Sequence, residues 1–263
     1  MMINSLFLII ISILPVLLIG LFIYKKDKEK EPFNLLLKLF LLGVLSCLPA
    51  AIIENIIAFF FGDIENLTLP LLFIYVSLGI AFVEELVKWI IVYKCGYNSK
   101  EFDHVYDALV YCAFVSLGFA CFENIFYVFS EATIKIGLLR AVTAIPGHVC
   151  NAIVMGDYLG SAKTYQLCGD FKKEKRCLLF SLLLPTFTHT VYDYCIYSNN
   201  GLLIIFFMLF LVSIYIFSFI RIKKLSSIKD NLNNHRFTEI NFCSNCGTKA
   251  IGVFCTSCGK KIK

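Results

Sequence analysis

The sequence predicts an all-α protein: a polytopic bundle of about seven transmembrane helices, followed by a small cysteine-rich module at the C-terminus. Three observations carry this. Of 263 residues, 59% are hydrophobic, only 16% are charged and 26 are Phe, far more apolar than a soluble domain of this length. Stretches of about 20 apolar residues, enough to cross a hydrocarbon core of roughly 30 Å, recur along the first 220 residues. Beyond them the composition turns polar and two C-x-x-C pairs appear.

The spans fall near residues 4 to 24, 33 to 61, 70 to 95, 104 to 130, 136 to 160, 175 to 199 and 201 to 220. The first is expected to remain in the mature chain: no basic residue precedes it, its apolar core is too long for a signal peptide, and no small-residue cleavage site follows. Basic residues cluster after alternate spans. Lys25, Lys26, Lys28 and Lys30 follow the first, Lys94 and Lys100 the third, and Lys163, Lys172, Lys173, Lys175 and Arg176 the fifth, whereas the other three loops hold Lys135 and almost nothing else. The positive-inside rule then places the N-terminus outside and the C-terminus in the cytoplasm. The net charge of +5 is mostly this topology signal, and no nucleic acid is needed to explain it. Pro49, Pro146 and Pro185 are expected to kink spans two, five and six. Arg140, just inside the outer face, is expected to snorkel outward.

Residues 1–220 thus read as the membrane domain, 221–240 as a polar linker and 241–263 as a separate module. In FCSNCGTKAIGVFCTSCGKKI, Cys243 and Cys246 form one pair and Cys255 and Cys258 a second, each followed by a Gly that lets the backbone turn its amides toward sulfur. Four thiolates at this spacing suit tetrahedral zinc and leave no open coordination position, so the expected zinc is structural. The pattern resembles short zinc-ribbon modules, and a cytoplasmic location disfavours disulfides. Such a module beneath the membrane can recruit a cytoplasmic partner or part of a substrate. The other cysteines are scattered without metal spacing and read as small apolar residues.

The chemistry lies in charges placed at membrane depth. An ionisable residue at the bilayer centre costs at least about 2.5–3.5 kcal/mol, so such residues face the bundle interior and mark function. Span three carries Glu84, Glu85 and Lys88, span four Glu123 with Asn124, span five His148 with Asn151, and span six His189 and Asp193. Lys88 lies four residues from Glu84 and three from Glu85, so it can neutralise either on its own helix. His189 and Asp193 are four apart and share a face, where Asp193 can fix a tautomer or share a ligand role. Together these groups can activate a water molecule, by carboxylate general base or by metal. Glu54 with Asn55 is within reach of the cavity but reads rather as an interhelical hydrogen-bonding site or a near-interface pair. His104, Asp107 and Asp157 read as residues that set helix ends near the cytoplasmic surface.

These residues, in this order, resemble the PrsW family of intramembrane proteases, which is related to the CAAX prenyl endopeptidases and the bacteriocin-processing enzymes. The resemblance covers roughly residues 4 to 200. It rests on YKKDKEKEP (Tyr24 to Pro32), the double glutamate Glu84 and Glu85 with Lys88, and YDALVY (Tyr106 to Tyr111). Further along, Phe119 and Glu123 form F-x-x-x-E beside Asn124, PGHVCNAIVMGDYLG supplies His148, and His189 and Asp193 form H-x-x-x-D. It implies an endopeptidase of the bacterial cell membrane that cuts membrane-anchored substrates, such as anti-sigma-factor-like regulators in signal transduction. The cysteine module is not part of the family's core.

Two mechanisms follow for this hydrolase. In one, His148, His189 and a carboxylate such as Glu123 hold a catalytic zinc with one open position, and Glu84 is the base, with Glu85 beside it. In the other, Glu84 works alone as base and the imidazoles stabilise the oxyanion. In both, Glu123 and Asp193 complete the polar pocket and Lys88 is a counter-charge. The double glutamate departs from the H-E-x-x-H helix of soluble metalloproteases. Two rival classes fit less: a proton-coupled transporter, for which the sequence shows no internal repeat, and a membrane-anchored zinc-ribbon scaffold, which has no use for buried charges in four consecutive spans.

Overall fold

The computed structural model describes residues 5–131 and 133–228, and in the tail residues 231–232, 241–242, 245–246 and 248–250. Its long helices are α1 (Ser5–Lys26), α2 (Phe33–Phe61), α5 (Val105–Glu131), α7 (Ala144–Leu167), α8 (Phe171–Tyr197) and α9 (Gly201–Leu225). A further helical run covers 69–97, in which α3 (Leu69–Ile74) and α4 (Phe82–Ile91) alternate with two π-helical segments, Tyr75–Ala81 and Val92–Tyr97. The short α6 (Ile134–Val142) precedes α7.

Among the described residues, six helical runs are long and apolar enough to cross a membrane. The predicted sixth span forms α8, which equals the others in length but is not among those six, because its central stretch is diluted by Thr186, Thr188, His189, Thr190 and Asp193. The bundle centres on α5, whose most apolar window is 83% buried against 17% for α9. Helix α5 packs against α1, α2 and α7, so its buried side chains contact protein rather than lipid. The outer helices keep Leu17, Leu18, Phe59, Phe60, Leu202 and Leu209 exposed, where the surrounding solvent is hydrocarbon.

Close approach of α2 to α5 depends on two glycines. A Cβ on Gly43 would lie 2.1 Å from the Val115 carbonyl oxygen, and one on Gly118 would lie 2.0 Å from that of Phe40. Small residues at such crossings replace the hydrophobic driving force that lipid removes.

The predicted fifth span is not one helix. It breaks at Thr143 (φ −119°, ψ −64°) between α6 and α7. Pro146 carries no N–H for the Val142 carbonyl four residues back. The Tyr215 hydroxyl of α9 donates to that oxygen instead, at 2.7 Å. The membrane helices also extend past the predicted boundary, since α9 continues to Leu225. The first part of the predicted linker is docked: Leu232 N donates to the Asp103 carbonyl at 2.6 Å, and Asn231 Nδ2 to Asp103 Oδ2 at 3.2 Å.

At the lysine-rich end, Asp107 Oδ2 accepts from the Asp103 and His104 amides at 2.9 and 2.6 Å, and so caps the start of α5. Asp157 pairs with Arg221 of α9. Tyr111 Oη donates to Glu31 Oε2 at 2.6 Å, tying the α1–α2 loop to α5. Burial pushes the Glu31 carboxyl from its ordinary 4.5 up to about 7, against the Tyr111 hydrogen bond and with help from nearby Asp27. Burial likewise raises Asp27.

A carboxyl whose pKa is raised by folding opposes the fold once it ionises. Stability at this end should be greatest below about pH 4.5 and fall as pH rises through about 7. Thermal unfolding of the detergent-solubilised protein between pH 4.5 and 8 tests this: E31Q should flatten part of the slope, leaving the part due to Asp27. An unchanged slope would remove Glu31 from the network.

Candidate active site

Helix α4 carries Glu84, Glu85 and Lys88 on its buried face, between the two π segments, whose extra residue per turn resets which side chains face inward. Lys88 is 1% exposed. Its Nζ donates to Glu84 Oε2 at 3.1 Å and Glu85 Oε1 at 2.9 Å, and lies 3.2 Å from His148 Nδ1. It also lies 4.0 Å from the centre of the Phe119 ring, which screens the cation's remaining side. The lysine is therefore the shared counter-ion of α4, α5 and α7.

The imidazoles are oriented by these contacts. An ammonium can only donate, so His148 Nδ1 accepts and its Nε2–H is left to donate to Glu123 Oε2, at 2.7 Å. His189 Nδ1 lies 2.9 Å from Glu85 Oε1, an acceptor, so Nδ1 carries a proton. Its Nε2 is turned toward Asp193 Oδ2 at 3.4 Å and Glu84 Oε2 at 4.0 Å. The sequence suggested Asp193 as the group that fixes the tautomer; the closer contact to Glu85 assigns that part to the glutamate. The two rings stand 5.3 Å apart at 89°. Ser116 Oγ donates to the His148 carbonyl at 2.8 Å, and Thr188 Oγ1 to Asn151 Oδ1 at 2.8 Å, which locks α5, α7 and α8 around the rings.

A cavity of about 710 Å³ opens beside this cluster. Glu84, Glu123, His148, His189 and Asp193 line it, whereas Glu85 and Lys88 lie behind it. The six predicted site residues thus come together, five on the cavity wall and one supporting it.

Arg140 is a correction. It does not snorkel outward but turns inward, with Nη2 3.1 Å from Glu123 Oε2, Nε donating to Asn124 Oδ1 at 3.1 Å, and its guanidinium 4.1 Å from the centre of the Tyr127 ring. The α6–α7 break sets α6 against the cavity, and Glu123 offers a better partner than the interface. Glu54, expected to bond between helices, also lines the cavity, and its Oε1 is buried without a partner among the described residues.

The donor set fits a metal. Glu84, Glu85, His148 and His189 are all buried and offer ligand atoms within 4.8 Å of one another, two carboxylates and two imidazoles of the kind that bind zinc. Glu123, proposed from sequence as the carboxylate ligand, stands outside this group, paired with Arg140 and His148. A second acid–histidine group, Asp103, His104 and Asp107, is already accounted for as the cap of α5. In the tail, Cys243, Cys255 and Cys258 lie outside the described residues, as does most of the predicted zinc module. Asn241–Phe242 pairs antiparallel with Lys249–Ala250, bracketing Cys246, whose sulfur is 3.3 Å from Thr248 Oγ1.

Comparison with known proteins gives a consistent result. Residues 31–220 match the PrsW family intramembrane metalloprotease profile. The chain is 35% identical over 213 residues to Protease PrsW of Oceanobacillus iheyensis, covering 81% of this chain and 93% of that one. It is 36% identical over 185 residues to Protease PrsW of Geobacillus kaustophilus, covering 70% and 77%. With Protease PrsW of Bacillus subtilis it shares 32% over 213 residues, covering 80% and 91%. No solved structure matches.

Removing Lys88 should leave two carboxylates buried without their cation, a change that costs about 3–5 kcal/mol for a buried pair. K88M should therefore lower the unfolding midpoint sharply, and adding E84Q and E85Q should recover much of the loss. A K88M protein as stable as wild type would show that another group neutralises the glutamates.

Proposed function

Because this chain belongs to the PrsW family of intramembrane metalloproteases and is a membrane-embedded endopeptidase, we propose that Glu84 is its general base and Glu85 its positioning residue. One observation carries the division: of the two adjacent carboxylates, Glu84 reaches the cavity wall and Glu85 does not. Glu85, 1% exposed, is committed to Lys88 and to His189 Nδ1.

Peptide hydrolysis requires a proton to leave the attacking water and another to reach the departing amine. Glu84 takes the first and can deliver it to the amine nitrogen as the C–N bond breaks. Lys88, bonded to Glu84 Oε2, holds that carboxylate in place. Glu85 fixes the proton of His189 on Nδ1 and leaves Nε2 facing the reacting groups. Glu123, itself held by Arg140, fixes the proton of His148 on Nε2 and leaves Nδ1 to accept from Lys88. His148 and His189, with a carboxylate of the cluster, would hold a zinc-like ion, which when bound polarises the scissile carbonyl and lowers the pKa of the water. The apolar walls, among them Tyr75, Phe122, Phe126 and Leu139, exclude bulk water and strengthen each of these interactions.

The substrate in this reading is a membrane-anchored protein, of which anti-sigma-factor-like regulators are one class. The N-terminus lies outside and the C-terminus in the cytoplasm, a placing supported by the lysines gathered at one end of the bundle. There a zinc-bound module of Cys243, Cys246, Cys255 and Cys258 would recruit a cytoplasmic protein or the substrate's own cytoplasmic part.

The test is cleavage of a single-span substrate by purified protein in lipid. E84Q should lower the rate constant by about 10²–10⁴-fold, the usual contribution of a general base. E85Q should act through His189 and shift the pH profile rather than abolish turnover. Chelation should remove activity and zinc should restore it, in full-length protein and after removal of residues 225–263 alike. If E85Q were dead and E84Q active, the two roles would have to be exchanged.

A further inference from the structure

Of the four carboxylates on the cavity wall, Glu54 alone pairs with no basic group among the described residues. Glu84 is held by Lys88, Glu123 by His148 and Arg140, and Asp193 lies against His189. Glu54 has a buried oxygen with no hydrogen-bond partner among the described residues. A buried polar group left unpaired destabilises the fold, because the hydrogen bonds it made to water are not replaced. The sequence reading, a bond between helices, would have supplied a partner, and the structure gives none. The chain keeps this cost in a position that faces the cavity.

The surroundings of Glu54 leave room for a polypeptide. From α2, Cys47, Ala50, Ala51 and Ala58 line the cavity together with Leu48 and Asn55, so most of the side chains flanking the carboxyl are small. The other walls combine large apolar groups such as Phe122, Leu139 and Ile214, which offer an unwound backbone nothing to bond, with the polar side chains of Tyr127, Asn151 and Tyr192. Yet a substrate must unwind, because a peptide carbonyl in a continuous transmembrane helix is already bonded and shielded by its turn. Unwinding frees N–H groups in a medium without water, where each must find an acceptor.

We infer that Glu54 is a substrate-positioning residue: its carboxyl accepts a hydrogen bond from a main-chain N–H of the segment unwound for cleavage. This rests on the reading of the cavity as the place of proteolysis. It adds that the enzyme recognises exposed backbone there, which any side-chain sequence presents. Glu54 acts on binding and not on the proton transfers assigned to Glu84.

Binding is therefore read apart from turnover, in full-length protein carrying E84Q, with a fluorescently labelled single-span peptide in nanodiscs. Replacing Glu54 by Leu in that background should weaken binding about tenfold, near the upper value of one hydrogen bond between neutral groups. Replacement by Gln, whose amide oxygen still accepts an N–H, should keep binding within about threefold of the parent. With Glu84 intact, E54L should raise KM by a similar factor and leave kcat nearly unchanged. It should also raise or preserve the unfolding midpoint, since it removes an unpaired polar group.

Unchanged binding in the Leu variant, equal damage by Gln and Leu, or a lowered midpoint that reveals a structural bond would overturn the proposal. Loss of bound zinc in E54L would also overturn it, by making Glu54 a metal ligand. Full activity of E84Q would instead defeat the assignment of the base, and the binding comparison would still decide the part played by Glu54.

Discussion

An ionised side chain persists in hydrocarbon only where other elements bring counter-charge to it, and the Lys88 ammonium is where this chain meets that demand. Its contacts with Glu84, Glu85 and His148 join α4 to α7, and the Phe119 ring brings in α5. From this cation the order spreads outward: it sets the acceptor nitrogen of His148, which turns the other nitrogen to Glu123, which in turn draws Arg140 in from α6. Glu85 passes the same constraint to His189 on α8. The architecture of the bundle and the protonation pattern of the site are thus two expressions of one requirement, that no charge be left alone.

Much of this was legible because lipid makes polar residues conspicuous. Glu84, Glu85, Lys88, Glu123, His148, His189 and Asp193 stand out against leucine and phenylalanine, and three- and four-residue spacings indicate which of them share a face. Spacing within a helix carries no information about partners on other helices, and the errors lie there. Arg140 sits where a snorkelling arginine would, and only the packing of α6 against Glu123 reveals its inward turn. The division of labour between Glu84 and Glu85 is likewise invisible in two adjacent letters, because it depends on which carboxylate meets the cavity.

The break between α6 and α7 shows the same limit in the backbone. Pro146 announced a disturbance, but a proline inside an apolar run is compatible with a kink, a break or a gentle bend. The outcome depended on whether a donor could reach the freed Val142 carbonyl, and that donor, Tyr215, is 73 residues away. Helix α8 is the opposite case: its polar content dilutes the very signal by which spans are recognised, so the helix that carries His189 and Asp193 is the least evident as a membrane segment.

The docking of Asn231 and Leu232 on Asp103 has a consequence for whatever the tail carries. Only eight residues separate Leu232 from Asn241, and a chain advances at most about 3.6 Å per residue. The tail module is thus leashed within about 30 Å of the lysine-rich rim. Whatever binds there is confined to a small volume near that rim, which raises its local concentration. A leash counted from Leu225, the end of α9, would have been almost twice as long and the confinement correspondingly looser.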